Sequence, residues 1–304
     1  MPHPPIILPR IILPRIILPR IILPSIVLPP SFCPSPKRMH RTITTCLLLT
    51  LTLVPASTLP AQSVTPVHHA HAHNDYLHDR PLLDALDNGF GSVEADIYLI
   101  DGALLVAHDR DKTSPARTLQ GLYLDPLRAR IKQNKGSVHG DGQTLTLLID
   151  IKSDGESTYH ALDAVLSQYA DILTHVDDQG VHPGPVTAII SGNRAVDVIQ
   201  ADPTRYAGID GRLSDLNTDM SADLMPLISD HWGRNFRWRG DGKMPPAERE
   251  RLNGVVEKAH AAGRRVRFWA TPDDPAVWAL LAEANVDLIN TDDLAGLAEF
   301  LRSR

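Results

Sequence analysis

Cysteine is almost missing from this sequence. Its 304 residues include two, Cys33 and Cys46, and both fall within the first 61. The body that follows has none, which excludes a structural disulfide there and any thiol nucleophile. The same first 61 residues lack Asp and Glu altogether but hold six basic residues, Arg10, Arg15, Arg20, Lys37, Arg38 and Arg41. Removing those six from the 30 Lys and Arg leaves 24 against 36 Asp and Glu, so the body carries a formal charge near −12. Such a surface is a poor general binder of nucleic acid, because phosphate contacts need clustered Lys and Arg. No glycine-rich phosphate turn follows the first strand candidate, which argues against an open nucleotide-binding sheet. No amphipathic membrane-docking helix stands out.

Residues 6–30 repeat a five-residue unit: IILPR three times, then IILPS and IVLPP. Proline in every unit forbids a continuous helix and removes ladder donors from a strand, so the repeat is not a membrane span despite its Ile and Leu. Residues 1–38 are read as an upstream repeat outside the mature protein. Met39 opens a second beginning: His40 and Arg41, an apolar run over 46–54, then small and turn residues to Ala61. That order is the signature of a secretory signal peptide, and the apolar run is too short to span a bilayer. Residues 39–61 are therefore expected to direct export, periplasmic or extracellular, with cleavage near Ala61.

The remaining 62–304 alternate short apolar runs with amphipathic stretches, the pattern of strands and helices in a parallel sheet or barrel. Strand candidates cover 67–72, 92–99, 145–151, 186–191, 206–209, 224–228, 266–270 and 286–290. Helix candidates cover 80–88, 156–174, 194–201, 246–262, 275–284 and 294–301. Eight strands in about 240 residues predict a single-domain (β/α)8 TIM barrel. Asp101-Gly102 between apolar runs predicts a hairpin that brings His108 back toward the end of the second strand.

Catalytic groups of such a barrel sit at the carboxyl ends of its strands. Glu94 and Asp96, at i and i+2, share one face of the second strand, and Asp150 closes the third. Three hard oxygen donors on adjacent strands repel one another unless a cation is present, and they suit Mg²⁺ or Ca²⁺ better than zinc. Lys152 lies on the same face as Asp150, placed to neutralise a carboxylate or to bind an anionic oxygen. A carboxylate-held metal beside a lysine points to phosphate chemistry. His71 is read as either a ligand or a partner of one, Trp269 as a pocket wall, and Asp292 as the cap of the last helix. Other histidines, among them His175, His182 and His260, are read as surface or hydrogen-bonded residues without a chemical role.

The run Ala72-His73-Asn74-Asp75, then Gly89-Phe90-Gly91-Ser92-Val93-Glu94-Ala95-Asp96, Asp101-Gly102 and Val106-Ala107-His108-Asp109, resembles the glycerophosphodiester phosphodiesterase and phosphatidylinositol-specific phospholipase C superfamily. Leu148-Ile149-Asp150-Ile151-Lys152 looks like its third-strand motif, and Trp269-Ala270-Thr271 and Asp287-Leu288-Ile289-Asn290-Thr291-Asp292 resemble its last two strands. The opening His73-Asn74-Asp75-Tyr76 form is similar to the altered-inheritance-of-mitochondria-like branch. The resemblance covers about residues 67–301. It implies a metal-dependent phosphoric diester hydrolase acting on a small glycerophosphodiester or a phospholipid head group. His73 and His108 would be the acid/base pair, and Glu94, Asp96 and Asp150 would hold one divalent cation. The superfamily usually follows its first histidine with a phosphate-binding arginine, where this chain has Asn74. Arg80 in the next turn is the expected substitute, and Asn74, Arg80 and Trp269 are the substrate-contacting candidates.

Two other readings compete. An amidohydrolase-type barrel also opens on His-x-His, as in His71-x-His73, and His231 and Asp292 would fit it. It leaves the Glu94 and Asp96 pair unexplained and finds no histidine near Asp210-Gly211-Arg212. A catalytically silent barrel that binds a phosphorylated head group or glycan is the other.

Overall fold

The structure is a computed structural model that describes residues 64–304. The proline-rich repeat and the expected signal peptide lie outside the described residues. In chain order the strands are β1 (Val67–Ala72), β2 (Phe90–Ile100), β3 (Ala103–Val106), β4 (Leu145–Ile151), β5 (His175–Asp177), β6 (Gly180–His182), β7 (Val186–Gly192), β8 (Ala207–Gly211), β9 (Leu227–His231), β10 (Arg265–Trp269) and β11 (Leu288–Thr291). The α-helices are α1 (Leu83–Asp87), α2 (Asp125–Gln133), α3 (Gly155–Leu166), α4 (Val196–Ala201), α5 (Trp232–Asn235), α6 (Pro246–Ala261), α7 (Pro275–Glu283) and α8 (Leu294–Arg302).

Eight strands, β1, β2, β4, β7, β8, β9, β10 and β11, pair in parallel in that order, and β11 returns to β1. The sheet therefore closes into the expected TIM barrel. Most of these strands carry an apolar run, as burial on both faces demands, while β1 (VHHAHA) and β10 (RVRFW) interleave polar residues with apolar ones. One face of the strands packs against the helices in a continuous apolar core that includes Phe90, Tyr123, Trp232 and Phe268. The other faces the barrel axis, where Leu148, Ile189, Leu227 and Leu288 form a separate apolar cluster. The residues two places further along these strands, Asp150, Ser191, Ser229 and Asn290, are polar. That change of chemistry makes the carboxyl end of the barrel a site.

The expected hairpin is β2–β3, with Leu99 opposite Leu104 and Ile100 opposite Ala103. Asp101 (φ 49°) and Gly102 (φ 79°) both take left-handed conformations, which a two-residue turn of matching twist requires. The sixth barrel strand begins later than expected, at Leu227. Pro226 has no N–H, and the Leu224 and Met225 amides turn back to the Ser221 carbonyl at 3.1 and 2.9 Å, so the backbone is not extended until Pro226 is passed. The helix expected over 156–174 ends at Leu166, and the segment before β7 forms the small antiparallel hairpin β5–β6.

Candidate functional site

Parallel register sets the carboxylates side by side. Asp96 of β2 lies opposite Asp150 of β4, and each of Glu94, Asp96 and Asp150 offers an oxygen within 4.8 Å of the others. A cavity of about 270 Å³ opens beside them, lined by His73, Asn74, Glu94, His108, Asp150, Lys152, Ser191, Arg212, Arg267 and Trp269. Seven of the nine site residues expected from sequence thus face one space. Asp96 is buried just behind it, joined to Lys152 Nζ at 3.0 Å. A larger hollow of about 610 Å³, lined by His69, His260 and Asp287 among others, holds none of the expected residues.

Arg80 is not brought to the cavity. Its guanidinium bonds Asp84 and Asp87 in the short helix α1 that follows it, and its side chain is 57% exposed. The cavity's guanidiniums come instead from β8's end and from β10, as Arg212 and Arg267. Asn74 takes a left-handed φ of 48°, tolerated by Asn better than by most residues, and its Oδ1 lies 2.7 Å from the Tyr76 hydroxyl. Asp292 does not cap the last helix. Asp293 does, accepting from Gly296 N, while Asp292 Oδ1 accepts from His73 Nδ1 at 2.8 Å. Asn74 Nδ2 lies 2.9 Å from the same ring nitrogen; a protonated Nδ1 bonds Asp292 and a bare Nδ1 accepts from Asn74, and in either tautomer Nε2 is the nitrogen left for chemistry. His108 sits where the hairpin was expected to bring it: Ala107 N donates to the Asp96 carbonyl at 3.1 Å and Tyr98 Oη to the His108 carbonyl at 3.1 Å.

The charges are strongly coupled. Arg267, 3% exposed, donates to Glu94 Oε2 at 2.8 Å, and His71 Nε2 approaches the same oxygen at 3.2 Å. Burial opposes the ionisation of Glu94, but Arg267 and His71 together hold its carboxyl well below the usual range. Burial and the nearby Arg267 push His71 down to about 3. Burial and the charge of Glu94 push Asp96 up to about 7, and burial likewise raises Asp150. Lys152 bridges the two aspartates at 3.0 and 3.2 Å. The ion pairs are therefore real, yet they leave Asp96 Oδ1 and Asp150 Oδ1 buried without a hydrogen-bond partner. Buried carboxylate oxygens without partners are costly, and this pair, with Glu94, makes a donor set that fits a hard divalent cation. The backbone is shaped for it too: a Cβ at Gly192 would stand 2.0 Å from Asp150 Oδ1.

Comparison with known proteins extends this geometry. The model of the AIM6-like phosphodiesterase domain matches residues 60–209, and that of the glycerophosphoryl diester phosphodiesterase family matches 265–295. The altered inheritance of mitochondria protein 6 homolog of Arthroderma benhamiae is 30% identical over 258 residues, 74% of this chain and 81% of the relative. The chain belongs to the AIM6 family, a branch of the glycerophosphodiester phosphodiesterase-like superfamily. Protein 6 of Eremothecium gossypii is also 30% identical, over 79% of this chain and 71% of its own length. A solved glycerophosphodiester phosphodiesterase from Agrobacterium tumefaciens shares 18% identity at a TM-score of 0.49, over 78% of this chain and all of that one.

The AIM6-family assignment leaves the amidohydrolase reading without support, and the geometry agrees. His71 is fully buried, and both its ring nitrogens are engaged, Nδ1 by Ser92 at 2.7 Å and Nε2 by Glu94. It is a partner of the carboxylate and not a second ligand beside His73. Sequence reasoning missed Arg212, Arg267 and Tyr76. Strand parity carried the signal for the arginines, since Arg267 alternates with Trp269, and Arg212 follows the buried Asp210 by two.

Proposed function

We propose that this AIM6-family chain is a metal-dependent phosphoric diester hydrolase, acting on a glycerophosphodiester or a phospholipid head group, with His73 and His108 as its acid/base pair. The observation that carries the reading is the cavity itself, which brings two imidazoles, the carboxylates of Glu94 and Asp150 and Lys152 to one small space, with Asp96 buried behind them. Diester hydrolysis needs one group to take the proton of the attacking hydroxyl and another to return a proton to the leaving alkoxide. Imidazole does both near neutral pH. In His73 the Asp292 and Asn74 contacts at Nδ1 hold the ring and leave Nε2 for that work.

Lys152, Arg212 and Arg267 supply positive charge around the space, which favours an anionic substrate. Arg212 is itself held, donating to Asp210 Oδ2 at 2.8 Å and lying 5.0 Å from the Trp269 ring centre. At about 270 Å³ the cavity admits a phosphate and its immediate substituents, and the rest of a larger substrate would lie outside. Glu94, Asp96 and Asp150 would hold Mg²⁺ or Ca²⁺, which when bound stabilises charge on the non-bridging phosphate oxygens. Export after cleavage near Ala61 belongs to the same reading and is supported by the signal-peptide order of residues 39–61.

The test is a panel of glycerophosphodiesters, lysophospholipids and inositol lipids with excess Mg²⁺ or Ca²⁺, repeated with chelator. Turnover of at least one diester that stops on chelation is the expected result. Tight head-group binding with no turnover under either cation would favour the silent barrel, a reading to which the existing ion pairs of Glu94 and Asp96 lend some weight.

A further inference from the structure

We propose that His175, Asp177 and His182 form a second cation site, selective for a zinc-type divalent transition metal, at the end of the barrel opposite the catalytic cavity. The three residues lie on the β5–β6 hairpin, between α3 and β7. The hairpin register sets His175 directly opposite His182 and Asp177 opposite Gly180. Side chains alternate along a strand, so both imidazoles and the carboxylate occupy one face while Val176 and Val181 occupy the other. Directly opposed positions bring side-chain bases to within about 5.5 Å, close enough for two imidazoles to share one ion.

The side chains are already gathered. The His175 and His182 rings lie 4.6 Å apart and 12° from parallel, and His182 Nε2 is 2.9 Å from Asp177 Oδ1. One donor atom from each of the three lies within 4.8 Å of the others. Zinc bonds to nitrogen and oxygen of about 2.0 to 2.2 Å put tetrahedral donors roughly 3.3 to 3.6 Å apart. The donors must therefore draw together, and the near-parallel rings must turn so that their nitrogens converge on one point. His175 Nδ1 faces the Leu173 carbonyl at a long 3.4 Å. A carbonyl accepts only, so this contact favours the tautomer with Nε2 free as a ligand. Gln179 N donates to Asp177 Oδ1 at 2.8 Å and holds the carboxylate in place.

The hairpin is anchored as well as preassembled. Val176 and Arg205 exchange backbone hydrogen bonds of 2.8 Å, and Thr174 N donates to the Val186 carbonyl at 2.8 Å. A metal there would staple the two strands of the β5–β6 hairpin to each other. Two imidazoles and one carboxylate select zinc, cobalt, nickel or copper, whereas the all-oxygen set of Glu94, Asp96 and Asp150 selects harder ions. The two sites share no residue. An ordinary His182–Asp177 ion pair, with His175 packed between the rings of His182 and Tyr206, is the competing account.

Calorimetric titration of the full chain with Zn²⁺, in excess Mg²⁺, tests the proposal, with Co²⁺ absorption as a second readout of nitrogen ligation. The parent should take up Zn²⁺ and melt at a higher temperature with it. His175→Ala and His182→Ala should each weaken that uptake by at least about 10-fold and lose the shift in melting, while Glu94→Gln retains both. His182→Gln, which keeps a donor for Asp177, replaces the alanine variant should that one melt early. No Zn²⁺ uptake by the parent, or uptake unchanged in the His175 and His182 variants, overturns the proposal.

Discussion

The hydroxyl of Tyr76 lies 2.6 Å from Oδ2 of Asp96. Lys152 approaches the same oxygen at 3.0 Å, so Oδ2 is crowded while Oδ1 is buried without a partner. Tyr76 thus occupies the far side of the aspartate, and Oδ1 is the oxygen that a cation held there would meet. Burial and Glu94 raise Asp96 to about 7, and the Tyr76 hydrogen bond works against that rise. A cation must displace the proton from Asp96, so Mg²⁺ or Ca²⁺ affinity should climb as pH rises through neutrality. Tyr76→Phe removes the opposing bond and should displace the climb to higher pH. Calorimetric titrations between about pH 6 and pH 9 check this, and superimposable curves for parent and variant would contradict it.

Arg267 and Glu94 form a buried pair, 3% and 6% exposed. Removing one partner of such a pair typically costs about 3 to 5 kcal/mol, because the other is left charged and unpaired. Arg267→Met should therefore lower the melting temperature sharply, and added Mg²⁺ or Ca²⁺ should recover part of the loss by compensating Glu94. A melt that falls sharply but ignores divalent cations would argue that Glu94 is structural only.

Gly192 combines a φ of +69° with the closest approach to Asp150. In Gly192→Ala the new methyl cannot coexist with Asp150 Oδ1 where it stands, and the left-handed backbone adds about 1 to 3 kcal/mol of strain. Both lower stability and weaker cation binding are expected, read by thermal melts and titration of the same variant. Unaltered cation affinity would show that Asp150 is not a ligand.

Asp75 gives a pH signature away from the cation. Burial raises its carboxyl to about 6, despite hydrogen bonds from Leu82 N and the Tyr123 hydroxyl. Its folded value exceeds its unfolded one, so the folded state holds the proton more tightly between roughly pH 4 and pH 6. This contribution to stability is complete below that window and is lost as pH rises through it. Asp75→Asn should flatten that part of the stability curve and gain on the parent at pH 7, seen as melting temperatures across the window. A variant whose curve parallels the parent's would contradict the assignment.

The barrel was legible because parallel strands are apolar runs and their carboxyl ends carry the polar residues. Glu94, Asp96, Asp150 and Lys152 could be placed on one face by alternation alone, and Asp101-Gly102 placed His108. The arginines were harder to read. In Arg265-Val266-Arg267-Phe268-Trp269 they look like solvent-facing positions of a half-exposed strand, and only closure of the sheet turns that face inward. Arg80 turns away from the cavity because Asp84 and Asp87, in the helix that follows it, compete for it locally. Asp292 and Asp293 are adjacent, and helix starts are uncertain by one residue, so the cap went to the wrong aspartate. No Gly or Pro interrupts 156–179, which hid the end of α3 and with it the hairpin that groups His175, Asp177 and His182.

Proton transfer by His73 and His108 is read most directly in kcat of His73→Ala and His108→Ala on glycerophosphocholine or bis-p-nitrophenyl phosphate with saturating Mg²⁺ or Ca²⁺. Each variant should lose about 10²-fold or more in kcat while keeping the parent's melting temperature and cation affinity. Parent-like turnover in either variant would contradict the account.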